Sequence, residues 1–289
     1  MNSFMAWNET TGKALTFFEG KWHEGNPAIM GSMDHAPWLG STVFDGARAF
    51  EGVAPDLDLH CQRLVRSVES FGLSVLKTAG EIEAIIREGI AQFPKDAELY
   101  LRPMFWAAGG FVDVDAETTK FAVCVYDAPL PNPKTFSITL SPFRRPSYEY
   151  APTDAKAACH YPNSARAIRE CKARGFDNAV MLDPLGHVAE LTTANIWYAK
   201  NGEAYTPVPN GCFLNGITRQ RVITLLKGAG VKVHEASLDW QDFHDADEVF
   251  STGNYSKVTP VTTIEGRSLQ PGPMAAKVRE LYWAYAHRK

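Results

Sequence analysis

The chain has no apolar run near the roughly 20 residues that a bilayer-spanning helix needs. It has no block of five like charges, and 29 basic residues stand against 33 acidic ones. A net charge of -4 spread over that mixture argues against a nucleic-acid or anionic-membrane surface. The five cysteines, Cys61, Cys124, Cys159, Cys171 and Cys212, form no CxxC pair. An odd, scattered set reads as free thiols in a reducing cytoplasm rather than as a disulfide framework. The eight histidines show no metal-ligand spacing such as HExxH, so no metal site is expected. There is no internal repeat and no low-complexity tract. The first stretch, MNSFMAWNETTGKALTFFEGK, lacks a basic start followed by an apolar segment, so no leader is expected.

What is present is ordinary globular material, with 45% hydrophobic and 21% charged residues, and this excludes global disorder. A length of 289 residues suits about two domains with large cores. Residues 59–72 place Cys61, Leu64, Val65, Val68 and Phe71 at helical spacing, with Gly72 as a stop. Residues 81–93 repeat the pattern with Ile82, Ile85, Ile86, Ile90 and Phe93. Residues 98–108 and 120–127 read as strands, and alternation puts Tyr100 and Arg102 on one face of the first. Three prolines within residues 129–134 mark a stiff linker. Beyond it, residues 136–143, 178–183 and 187–200 read as strands, the last two joined by a Pro-Leu-Gly turn. Asn201-Gly202 reads as a hairpin turn. Helices are expected at 164–175, 218–230 and 274–287. The mixture is α+β or α/β in two lobes.

Four local features carry chemistry. Lys156 is flanked by small residues in DAKAACHY. Burial there would lower its pKa and free the amine for Schiff-base chemistry, although a solvated loop lysine fits the same local sequence. Gly216-Ile217-Thr218-Arg219 precedes a helix, and free N–H groups there make a phosphate cradle or a plain N-cap. Gly253-Asn254-Tyr255-Ser256 follows an apolar strand and offers either further anion donors or a simple turn. Glu190 lies in a strand-like stretch, where it could hold a pyridine nitrogen protonated or sit on a solvated hairpin face.

The order of these features, with STVFDGARAF (41–50), HCQRL (60–64), YLRP (100–103), LDPLGHVAELTTANIW (182–197), LNGITR (214–219) and ADEVFSTG (246–253), resembles the class IV, fold-type IV aminotransferases. Among them the chain is most similar to the branched-chain amino acid aminotransferases. The resemblance implies a two-domain fold of the D-amino-acid and branched-chain aminotransferase type. The expected small N-terminal α/β domain is 1–128, the linker 129–135 and the large C-terminal domain 136–289, with the cofactor between the domains. It also implies pyridoxal 5'-phosphate as cofactor, amino acids and 2-oxo acids as partners, and at least a homodimer.

By resemblance Lys156 forms the lysine aldimine and shuttles the proton, and Glu190 pairs with the pyridine nitrogen. Arg63, Ile217, Thr218 and Asn254 bind the cofactor phosphate, and Tyr161 stands beside its O3'. Phe44, Arg48, Tyr100, Arg102 and Tyr255 match the substrate pocket, with the arginines reading carboxylates. The expected reaction moves an amino group between an aliphatic, branched-chain L-amino acid and 2-oxoglutarate. Three departures keep other substrates open. Leu39 replaces a tyrosine that reaches the partner's pocket. Asn254-Tyr255 replaces Thr-Ala. Residues 127–133 lack the aromatic interdomain loop. The alternatives are a D-amino acid or (R)-amine transaminase and, with less support, a lyase of the aminodeoxychorismate type.

Overall fold

The computed structural model describes residues 12–288, so residues 1–11 of the stretch read for a leader lie outside them. The chain divides into two compact units. One reaches to Leu130 and also takes in Ala155–Cys159; the other holds Pro131–Asp154 and continues from His160.

The first unit contains β1 (Ala14–Phe18), β2 (Lys21–Glu24), α1 (His35–Leu39), β3 (Thr42–Phe44) and β4 (Ala47–Ala49). These are followed by α2 (Leu57–Ser70), α3 (Ala79–Ile90), β5 (Leu99–Ala107) and β6 (Thr119–Asp127). The strands form one antiparallel sheet in the order β2-β1-β6-β5-β3, with β4 also on β5. Helix α2 buries Leu57, His60, Cys61, Leu64, Ser67 and Val68, the stripe that a 3.6-residue period predicts. Helix α3 starts on a capping box between Thr78 and Glu81. Both helices cover one face of the sheet, where Leu99, Leu101 and Phe105 of β5 join Val123 and Val125 of β6 in the core. The alternate residues Tyr100, Arg102 and Met104 therefore take the other face.

The expected C-terminal domain was continuous from residue 136, but Ala155–Cys159 cluster with the first unit instead. The reason is local pairing. Ala157 bridges Val43 of β3, the Phe44 N–H donates to the Lys156 carbonyl at 3.0 Å, and Ala155 and Ala157 enter the first core. Their small side chains let the segment lie directly on the strand.

The second unit opens with β7 (Ser137–Leu140), α4 (Tyr161–Ala173), β8 (Asn178–Leu182), β9 (Val188–Leu191) and β10 (Asn195–Lys200). It continues with β11 (Glu203–Pro207), α5 (Ile217–Gly228), β12 (Val233–Ala236), α6 (Trp240–His244) and β13 (Glu248–Gly253). It closes with β14 (Lys257–Pro260), β15 (Thr263–Ile264), β16 (Arg267–Ser268) and α7 (Pro273–Ala286). Two sheets run β16-β15-β7-β8-β9 and β12-β11-β10-β13-β14. They share a core in which Ile138, Val180 and Leu191 of the first meet Ile196, Tyr198 and Val249 of the second. Helices α5 and α7 pack on each other and on β13.

Residues 187–200 are not one strand. They break at Thr192–Ala194 into β9 and β10, which belong to different sheets. Asn178 Oδ1 accepts from the Thr192 hydroxyl at 2.6 Å, and the Leu191 N–H donates to the Ala194 carbonyl at 2.9 Å. The Thr192 N–H still donates to the Ala179 carbonyl of β8 at 3.0 Å, and directly after it these two bonds close a tight bend. No helix among the described residues is long and apolar enough to cross a membrane.

Candidate functional site

In the first unit the segment that docks on β3 aims Lys156 away from the core. Its amide N–H donates to the buried Ser67 hydroxyl of α2 at 3.0 Å, and its Nζ stands 5.0 Å from the centre of the Phe44 ring. The backbone of this lysine is therefore held from both sides, by β3 and by α2, and its side chain is half-buried.

Phe44, Arg48, Tyr100 and Arg102 come together on the face of the sheet opposite the helices. Arg48 pairs in register with Tyr100, and Phe44 with Met104. Arg48 is fully buried, with its guanidinium 5.7 Å from the Tyr100 ring centre. Tyr126, which the sequence did not single out, stands opposite Tyr100 and stacks on it at 5.5 Å. The Arg102 guanidinium lies 5.8 Å from the Tyr126 ring. Burial pushes the Tyr126 phenol well above its ordinary range, so it remains a neutral hydrogen-bonding group. Two fixed cations framed by aromatic walls suit a ligand that carries carboxylate and apolar parts.

Arg63 is committed elsewhere than its expected role alone implies. Its Nε and Nη2 donate to the two oxygens of Asp45 at 2.7 and 2.8 Å. His60 Nδ1 and the Gly46 N–H also donate to Asp45 Oδ1, both at 2.7 Å. Burial alone would raise the Asp45 pKa, but Arg63 and His60 overcome it and hold the carboxyl well below the usual carboxylate range. The available signal for this cluster was the helix period, because His60 falls on the buried stripe of α2, where a polar side chain needs a partner.

In the second unit Glu190 is buried on β9 and is not on a solvated face. Arg145 Nη2 meets its Oε1 at 2.8 Å, and Asn195 Nδ2 donates to its Oε2 at 3.2 Å. Arg145 is held in turn by the Thr192 carbonyl at 2.9 Å and the Ser164 hydroxyl at 3.1 Å. Neither Arg145 nor Asn195 was picked out from sequence, since the bend at Thr192–Ala194 is what brings Asn195 back to Glu190.

Asn195 also donates to the Leu214 carbonyl at 3.1 Å, which ties Glu190 to the start of α5. Ile217 and Thr218 form the first, buried turn of that helix, and no side chain caps it. A Cβ at Gly216 would run into Asn195 Oδ1, so the backbone approach needs glycine. Asn254 and Tyr255 lie in the turn between β13 and β14. Asn254 Nδ2 is buried with no hydrogen-bond partner among the described residues, while Tyr255 is partly exposed. Tyr161 opens α4 and is 40% exposed. No group of three or more potential metal ligands occurs among the described residues.

The arrangement in the second unit offers a charge-held carboxylate at one end and uncapped N–H groups with an orphan amide donor at the other. It fits a flat ring with a basic nitrogen at one end and a phosphate at the other. The sequence pattern of the family described as amino-transferase class IV matches residues 42–264. A probable branched-chain-amino-acid aminotransferase of Rickettsia bellii is 31% identical, covering 82% of this chain and 83% of that protein. The branched-chain-amino-acid aminotransferase of Pseudomonas aeruginosa is 30% identical, covering 93% and 92%. The crystal structure of an aminotransferase from Brucella abortus bound to pyridoxal phosphate is 51% identical, covers 96% of this chain and all of that one, and superposes with a TM-score of 0.94.

Proposed function

The chain belongs to the class IV aminotransferases, and from that premise we propose that it holds pyridoxal 5'-phosphate at Lys156 and moves an amino group between an aliphatic, branched-chain L-amino acid and 2-oxoglutarate. The observation that carries the cofactor is the Arg145–Glu190–Asn195 chain ending at the uncapped start of α5.

Bound there, pyridoxal phosphate supplies an electron sink for the pair left behind when the substrate loses its α-proton. Arg145 keeps Glu190 ionised, so that Glu190 can accept the ring N–H and hold that nitrogen protonated. Ile217, Thr218, Asn254 and Arg63 bind the phosphate, with Asp45 fixing the plane of the Arg63 guanidinium. Lys156 Nζ, freed when the donor amine takes its place, would serve as the base for the substrate α-proton, and its clamped backbone fixes where that amine stands. Tyr161 orients the ring oxygen. Arg48, Arg102 and Tyr100 bind substrate carboxylates, and Phe44 and Tyr255 wall the pocket.

The branched-chain donor rests on relatives near 30% identity whose names carry that substrate. A D-amino acid or (R)-amine donor is the second reading, favoured by Leu39 and Tyr255, which depart from the branched-chain pattern. We also read the chain as at least a homodimer. Trp38, Leu39, Phe111 and Val112 are exposed together, and the Trp38 and Phe111 rings meet edge to face at 6.5 Å. Five free thiols support a cytoplasmic setting.

The test is the visible absorption spectrum of the purified protein, read before and after adding L-leucine, L-glutamate, D-alanine or an (R)-arylamine. A yellow band that bleaches with the two L-amino acids is expected, and Lys156→Ala should lose it. Bleaching only by D-alanine or the arylamine would move the assignment to the second reading. A protein that stays colourless with added pyridoxal phosphate would refute both.

A further inference from the structure

Lys257 is a lysine in an unfavourable place. It is fully buried at the start of β14, and its φ of 61° lies in the left-handed region that disfavours side chains. A desolvated ammonium adds to that cost. Its tip is well defined: Nζ donates to Asn254 Oδ1 at 2.8 Å and lies 5.7 Å from the centre of the Tyr282 ring.

That bond settles which way the Asn254 amide faces. An ammonium has only donors, so the atom it meets must be the amide oxygen. The amide nitrogen is then turned to the other side, where Nδ2 is buried with no partner among the described residues. A buried donor in that condition calls for an acceptor. Its neighbourhood indicates which one. A Cβ on Gly253 would lie 3.2 Å from Ala194 Cβ, so this turn rests on the bend at Thr192–Ala194. The next residue, Asn195, reaches the Leu214 carbonyl just before the uncapped start of α5. The orphan amide and the uncapped N–H groups thus flank the same bend. The ammonium also draws electron density through the amide, which makes Nδ2–H a stronger donor.

We propose that Lys257 is a positioning residue that locks the Asn254 amide with Nδ2 toward the cofactor phosphate, adding a charge-assisted donor to the cradle. This rests on the reading that the chain holds pyridoxal 5'-phosphate. The protein is stripped of cofactor and titrated with pyridoxal 5'-phosphate and with pyridoxal, reading visible absorption. The ratio of the two dissociation constants measures the phosphate preference. Asn254→Ala should lower that preference about tenfold, Lys257→Met by a similar factor, and the double variant no further. Affinity for pyridoxal should stay within about twofold when both residues act through the phosphate alone.

An unchanged preference in Lys257→Met overturns the proposal. So does an equal loss for both ligands, which marks a merely structural lysine, or additive losses in the double variant. Where Lys257→Met does not fold, Lys257→Gly, whose backbone suits this φ, is judged by the same criteria. Failure of both to fold makes the lysine structural and also overturns the proposal. A wild-type protein that binds neither ligand refutes the cofactor reading itself, a separate outcome.

Discussion

Replacing Arg145 by Met tests how much its buried pair with Glu190 contributes to folding and to the site. The pair is close, at 2.8 Å, and each side chain is only 10% exposed. Two unit charges about 4 Å apart attract by about 4 kcal/mol at an effective dielectric constant of about 20. Removing one partner of a buried pair typically costs about 3–5 kcal/mol, since the remaining charge is left uncompensated. Arg145→Met also frees the Thr192 carbonyl and the Ser164 hydroxyl, at about 1 kcal/mol each. Glu190 can escape part of the penalty by taking up a proton, so the expected loss is about 3 kcal/mol. A protonated Glu190 cannot accept the ring N–H, and kcat should fall with stability. Urea unfolding and transaminase rates are measured on Arg145→Met, Glu190→Gln and the double variant. The double variant should regain at least half of the lost stability, because the unpaired charge is gone, but none of the activity. The reasoning fails if Arg145→Met lies within about 0.5 kcal/mol of wild type. It fails equally if the double variant is no more stable than the single one.

Ser67→Ala should act on the reaction from within the core. It leaves the Lys156 N–H without its acceptor, at a cost of about 1–3 kcal/mol, and loosens the segment that presents the amine; kcat should drop more than the affinity for donor changes, as steady-state kinetics will read. Asp45 makes stability depend on acid pH. Its folded pKa lies below the ordinary 3.8, so its contribution is complete above that value and is lost as pH falls through the folded pKa. Urea midpoints measured between pH 7 and pH 2.5 should decline on acidification in the wild type and more gently in Asp45→Asn; equal slopes would contradict this account.

The parts of the fold that local physics controls could be read directly from the chain. Helices α2, α3, α5 and α7 follow apolar spacing, because a helix in a two-layer unit must bury one stripe. Alternation on β5 separated Tyr100 and Arg102 from Leu99 and Leu101, which enter the core. Asn201-Gly202 turned as expected, with both φ values positive. Motif order carried the family. Lys156, Glu190 and the start of α5 are recognisable from residue type and motif order alone.

Tertiary structure decided what those residues touch. Residues 187–200 look like one strand because each half is apolar, but Thr192 is the last residue to bond β8, and the turn closed from Leu191 to Ala194 and by the Asn178 side chain sends the halves into two sheets. That bend brings Asn195 to Glu190 and to Gly216, none of which are neighbours by strand periodicity. Lys156 belongs with β3 and α2 because two alanines let its segment enter their core, a fact set by packing far along the chain. Arg63 meets Asp45, Arg145 meets Glu190, and Lys257 turns the Asn254 amide, each contact depending on how distant or strained backbone brings charges within bonding range. Composition and period determined which elements form and which face each buries. Only the folded backbone determined which charges are paired, and with them the electrostatics on which the proposed reaction depends.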